Sequence, residues 1–95
     1  MREKMIESRL VQEVQSRGGL CWKFTSTGTD GVPDRIVLMP GGKIAFVEVK
    51  APGEKMRALQ IRRKQQLERV GFSVYCLDSL EQIRPILDEV GGETP

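Results

Sequence analysis

Ninety-five residues with a formal net charge of +2 suit one domain, spanning 1–95, with a small core. Apolar residues make up 39% and charged residues 29% of the chain, and no apolar run nears the roughly 18 residues of a membrane span, so a soluble cytoplasmic protein without a membrane partner is expected. The absence of histidine excludes Ser-His-Asp hydrolysis, histidine acid–base chemistry and histidine-metal sites; with only Cys21 and Cys76, a zinc site or a disulfide framework is equally disfavoured.

The first predicted element is a helix over 3–17, in which Ile6, Leu10, Val14 and Val11 share one face. Gly18-Gly19 ends it. A strand follows over 20–25 (LCWKFT), then a polar loop, STGTDGVP. Strands over 35–39 and 44–50 flank a Pro40-Gly41-Gly42-Lys43 turn. Ala51-Pro52-Gly53 breaks the chain before a helix over 56–70, closed by Gly71. A strand over 72–77 leads to a helix over 80–90, for which Ser79 and Gln82 form a candidate capping box. The final GGETP reads as a frayed tail. The order is α-β-β-β-α-β-α. The 56–70 helix can act as a crossover between parallel strands, which makes the expected fold α/β with a mixed sheet flanked by helices.

Three acids stand where a core should be. Glu7 falls between Val14 and Val11 on the apolar face of the first helix, a position that is costly for a carboxylate unless it is paired or near a cation. In the 44–50 strand, Glu48 and Lys50 point to one side, with Cα atoms about 6.6 Å apart. Asp34 begins the strand before it. A three-residue loop, Gly41 to Lys43, would set Asp34 opposite Lys50 and diagonal to Glu48; a two-residue turn would send Asp34 to the other face unless a bulge intervened. Two carboxylates together repel, and a divalent cation offsets that charge better than one lysine does. Hard oxygen ligands favour Mg²⁺ or Mn²⁺ completed by water. An acid pair, a cation and a lysine suffice for phosphodiester hydrolysis without histidine.

Pro33-Asp34 followed by Glu48-Val49-Lys50 is similar to the PD-(D/E)xK nuclease signature. The wider set resembles the VRR-NUC domain, the virus-type replication-repair nuclease: Glu7, Leu10, Gly18-Gly19, Lys23, Gly31-Val32-Pro33-Asp34-Arg35, Pro40-Gly41-Gly42, Phe46 to Pro52, Leu59-Gln60 and Gly71. The resemblance implies a restriction-endonuclease-like core. It implies metal binding by Asp34, Glu48 and the Val49 carbonyl, with Glu7 joining directly or through water, catalysis by Lys50, and support from Gln60. It also implies a phage or bacterial homodimer acting on branched DNA such as four-way junctions. Larger members with extra domains resemble nucleases of crosslink repair.

Residues 51–75 carry six bases against Glu54 and Glu68, whereas 76–95 carry Arg84 alone against five acids, so one side is expected to face a polyanion. Lys23, Arg35, Lys55, Arg57, Arg62, Arg63 and Lys64 are the expected phosphate contacts, which position a duplex without reading its bases. Of Trp22 and Phe24, one is expected to fill the core and the other to face a partner. The competing readings are a DNA-binding module that keeps the scaffold without turnover, and half of a sequence-specific restriction enzyme, for which the chain shows no base-reading insertion. No small-molecule cofactor is expected.

Overall fold

The computed structural model describes residues 2–91; all but the first residue of the GGETP tail lies outside them. Helix α1 (Glu3–Ser16) leads to strand β1 (Leu20–Lys23), followed by β2 (Arg35–Met39), β3 (Lys43–Val49), helix α2 (Ala58–Arg69), β4 (Ser73–Leu77), a 3-10 turn (Leu80–Gln82) and helix α3 (Ile83–Gly91). The sheet runs β1-β2-β3-β4 in space. The first two pairings are antiparallel, and β3 with β4 is parallel through the α2 crossover. This is the expected mixed sheet.

Alternation along the strands sorts the side chains onto two faces. Cys21, Val37, Met39, Val47, Val49 and Leu77 point to one side and form the core with Ile6, Leu10 and Val14 of α1 and Ile83, Ile86 and Leu87 of α3. The spacing of four between the α1 residues makes one continuous stripe, and Arg17 ties that helix to α3 through an ion pair with Asp88 at 2.7 Å. Both cysteines are free thiols; burial pushes Cys21 up to about 11, so it is a packing residue.

Element ends differ from the sequence reading for local reasons. Strand β1 stops at Lys23, two residues early, although the Phe24 amide still donates to the Asp34 carbonyl at 2.8 Å. Trp22 and Phe24 do not divide between core and surface as expected: two residues apart, they share the Phe46 side of the sheet, and neither enters the α1–α3 core. Helix α2 starts at Ala58 instead of 56 because Gln60 Oε1 accepts the Arg57 amide at 2.8 Å, which fixes Arg57 as the extended N-cap. At the last helix the Ser79 side chain makes no capping bond. Gln82 Oε1 instead accepts the Asp78 amide at 2.8 Å, and the chain makes a 3-10 turn before α3 begins.

Candidate active site

The β2–β3 register pairs Arg35 with Val47 and Met39 with Lys43. The loop therefore holds three residues, Pro40 to Gly42, not Gly41 to Lys43, and Gly41 and Gly42 supply the left-handed φ angles it needs, +90° and +77°. The strands sit two residues away from the expected register. Asp34 thus stands level with Glu48 instead of Lys50, on the same face of the sheet. Its Oδ2 accepts the Val49 amide at 2.9 Å, which locks the carboxylate against β3. Lys50 continues the parallel ladder beyond β3 by donating its amide to the Leu77 carbonyl at 2.8 Å.

Glu48, Lys50 and Gln60 are the buried polar side chains among the described residues, and Glu48 is only 2% exposed. Glu48 Oε2 accepts a hydrogen bond from Gln60 Nε2 and faces Lys50 Nζ at 3.5 Å. Gln60 is itself oriented, because its oxygen is committed to the Arg57 amide. Glu48 Oε1 is buried with no hydrogen-bond partner. Desolvation, followed by repulsion from Asp34, raises the Glu48 carboxyl to about 7, with Lys50 acting in the opposite direction. A buried carboxylate oxygen without a donor, beside a second carboxylate, is unfavourable in the free protein and well suited to a hard cation. Among the described residues no three His, Cys, Asp or Glu side chains gather as a metal cluster. The donor set is therefore two carboxylates, which matches the way Mg²⁺ is held by one or two carboxylates with water filling the remaining positions.

Helix α2 closes over this site through a close approach to the loop. A Cβ on Gly31, whose φ is +83°, would lie 2.7 Å from the Leu59 side chain and 3.3 Å from its backbone. Arg63 Nε donates to the Asp30 carbonyl at 2.7 Å one turn further along. The two contacts seat the Gln60 end of α2 against the segment that enters Asp34. The sequence offered Gly31 and Arg63 only as parts of a motif and a basic patch; a glycine just before a Pro-Asp step was the available signal for the close approach.

Glu7 is placed elsewhere. Its Oε2 accepts from Arg35 Nε at 2.8 Å, and Arg35 Nη1 donates to the Cys21 carbonyl at 3.3 Å. The apolar-face carboxylate is thus stabilised by pairing, and Arg35, expected on phosphate, is its partner. The pair lies in a cavity of about 400 Å³ with Lys4, Ser8, Val11, Gln12 and Lys23. Among the other expected phosphate contacts, Arg63 is engaged by Asp30 and Lys64 pairs with Glu68 at 3.3 Å. Lys23, Lys55, Arg57 and Arg62 are exposed and take part in no ion pair among the described residues.

Comparison with known proteins gives this geometry its context. The VRR-NUC domain family matches residues 21–80. The chain belongs to the VRR-NUC family. A solved VRR-NUC domain superimposes with a TM-score of 0.85 at 29% identity, covering 90% of this chain and 94% of the other. The chain is also 49% identical over 90 residues to "Putative nuclease p44" of Acyrthosiphon pisum secondary endosymbiont phage 1, which covers 93% of this chain and 97% of the relative. Asp34, Glu48, Val49, Lys50 and Gln60 all fall within the span that the VRR-NUC match covers; Glu7 lies before it.

Proposed function

We propose that the protein is a metal-dependent DNA endonuclease that hydrolyses phosphodiester bonds at the Asp34–Glu48–Lys50 site and selects branched DNA such as four-way junctions by shape. The observation that carries the reading is the buried, unpartnered Glu48 Oε1 beside Asp34, in a chain of a nuclease family. Asp34 and Glu48 would hold Mg²⁺ or Mn²⁺, with the Val49 carbonyl as a further oxygen. A divalent cation there supplies charge that polarises a phosphate oxygen and lowers the pKa of a coordinated water. Gln60 fixes which Glu48 oxygen stays free. Lys50, held at the rim of the acid pair, places an ammonium group where it stabilises the charge that develops on phosphate or orients the attacking water. Glu7 enters as the anchor of Arg35, at the side from which a strand would approach. Lys23, Lys55, Arg57 and Arg62 supply phosphate contacts around the site. A two-fold pair of chains would offer two such sites to the two strands of a junction.

Cleavage of linear, flap, fork and four-way DNA with Mg²⁺ or Mn²⁺ tests this reading. Turnover that disappears on chelation and in Asp34→Ala, Glu48→Ala and Lys50→Ala is expected, with the branched substrates cut fastest. Binding without cutting of any substrate would leave a DNA-binding module on a nuclease scaffold and overturn the assignment.

A further inference from the structure

The acid pair shares its end of the sheet with a second feature. Asp34 enters β2, Lys50 follows β3 and Asp78 follows β4, so the three stand side by side where these strands begin or end. Cys76 is the partner of Glu48 across the β3–β4 ladder, one strand spacing or about 4.8 Å away, and points to the same face. Beside it lies a cavity of about 490 Å³, bounded by the segment before α2, by α2 itself and by the 78–82 turn. Hydrolysis at the acid pair makes no use of it.

The cavity falls within the roughly 300–1,000 Å³ of small-ligand sites. Met56, Ile61 and Cys76 give it apolar walls. Two lysines, Lys55 and Lys64, line it with two acids, Glu54 and Asp78, so it carries no net charge. A bare phosphate would gain little there, whereas an uncharged planar group with a polar edge fits. Partners for such an edge are present. Gln82 Oε1 is committed to the Asp78 amide at 2.8 Å, which leaves Nε2 as a donor. The half-buried Asp78 carboxylate takes part in no ion pair among the described residues and is an acceptor. A donor with an acceptor suits the pairing edge of any nucleobase, because each such edge carries both. In a duplex that edge is taken by the opposite base; at a branch or flap it is open.

We propose that this cavity receives the base of an unpaired nucleotide next to the scissile phosphate. The proposal rests on the reading of the protein as a nuclease of branched DNA and gives that selectivity a physical basis. The cavity separates unpaired from paired bases and tolerates any sequence. Position identifies the occupant: a strand whose phosphate lies at Asp34 and Glu48 brings a neighbouring nucleotide to the end of β4. Unstacking is the cost of entry, and it is smallest for a base without a partner. Lys55, which is exposed, is available to the phosphate of the same nucleotide.

The test is binding in chelator, where nothing is cut, so an inactive protein does not affect its outcome. The probe is a fork with 2-aminopurine at the first unpaired position, compared with a linear duplex of equal length. No aromatic side chain lines the cavity, so a base that leaves the strand's own stack for it is expected to gain emission. Wild type is expected to bind the fork at least about 10-fold more tightly than the duplex. Gln82→Glu keeps the oxygen that holds the Asp78 amide and removes the donor; Ile61→Trp, at an exposed position, fills the cavity. Each is expected to lower the fork-to-duplex ratio at least about 5-fold and to abolish the gain in emission. If Ile61→Trp fails to fold, Gln82→Glu decides. Equal affinity for fork and duplex, a ratio that ignores the folded variants, or emission that falls on binding, as stacking on Trp22 would cause, would each overturn the proposal. Fork preference with gained emission in a protein that cuts no DNA would support the base cavity and overturn the nuclease reading alone.

Discussion

Glu48 combines the largest burial of any acid among the described residues with an oxygen that finds no donor. Burial, and after it the neighbouring Asp34, push its carboxyl up to about 7, above the usual 4.5. A raised carboxyl pKa means the folded state binds the proton more tightly than the unfolded chain does. The associated stability is complete below pH 4.5 and is lost as pH rises through about 7. Glu48→Gln, which keeps the shape and removes the charge, is expected to unfold at a higher temperature than wild type at pH 8 in chelator, with a much smaller difference at pH 4.5. Thermal melts at the two pH values check this, and a wild type more stable at pH 8 would contradict it. The same variant is expected to lose at least about 100-fold in cleavage rate, as are Asp34→Asn and Lys50→Met, with circular dichroism unchanged. That Asp34, Glu48 and Lys50 lie together was legible from the sequence only by combination, since Glu48-Val49-Lys50 alone reads equally as an ion pair at a strand edge and gains weight from Pro33-Asp34 in the strand before it. The true partner of Glu7 was not: a helical wheel shows that Glu7 faces inward but carries no information on which cation meets it, and Arg35 became visible only once β2 was placed beside α1.

At the scale of elements, helix α2 is the weakly held part. Among its residues only Gln60 is buried, so the helix is seated by the Gln60–Glu48 and Arg63–Asp30 contacts and by the approach of Leu59 to Gly31, not by an apolar stripe. Gly31→Ala combines a left-handed φ with a steric conflict and is expected to cost about 1–3 kcal/mol, measurable by denaturant unfolding, and to reduce cleavage by loosening Gln60. Leu10→Ala, in the fully buried stripe of α1, is expected to cost about 2–5 kcal/mol while leaving the site geometry alone. A similar activity loss in both variants at matched stability would argue against the specific role of the α2 seat. The order of elements and the parallel crossover could be read from the sequence because glycines, prolines and a change of apolar period mark their ends. The β2–β3 register could not, because Pro40-Gly41-Gly42 and Gly41-Gly42-Lys43 both satisfy a three-residue loop. What selects between them is the pairing of Ile36 with Phe46 and of Val37 with Ala45, which is a property of the packed sheet. Both registers keep Asp34 on the Glu48 face, so the site survived an error of two residues.

At the scale of the whole molecule, two faces of one thin sheet do different work. One is filled by α1 and α3 and supplies stability; the other carries the acid pair and α2. The modest net charge conceals this division, since the bases cluster in and before α2 while the acids collect around α3. DNA affinity is expected to fall steeply with salt, and Arg57→Ala and Arg62→Ala are each expected to reduce the log–log salt slope by about 1 without changing the preferred substrate. The central claim is narrower than any of these: Asp34 and Glu48 share one divalent cation. Calorimetric titration of Mn²⁺ into wild type, Asp34→Asn and Glu48→Gln at pH 8 tests it most directly. One site per chain in the wild type, absent from both folded variants, is the predicted result; an undiminished site in either variant, or none in the wild type, would contradict the account.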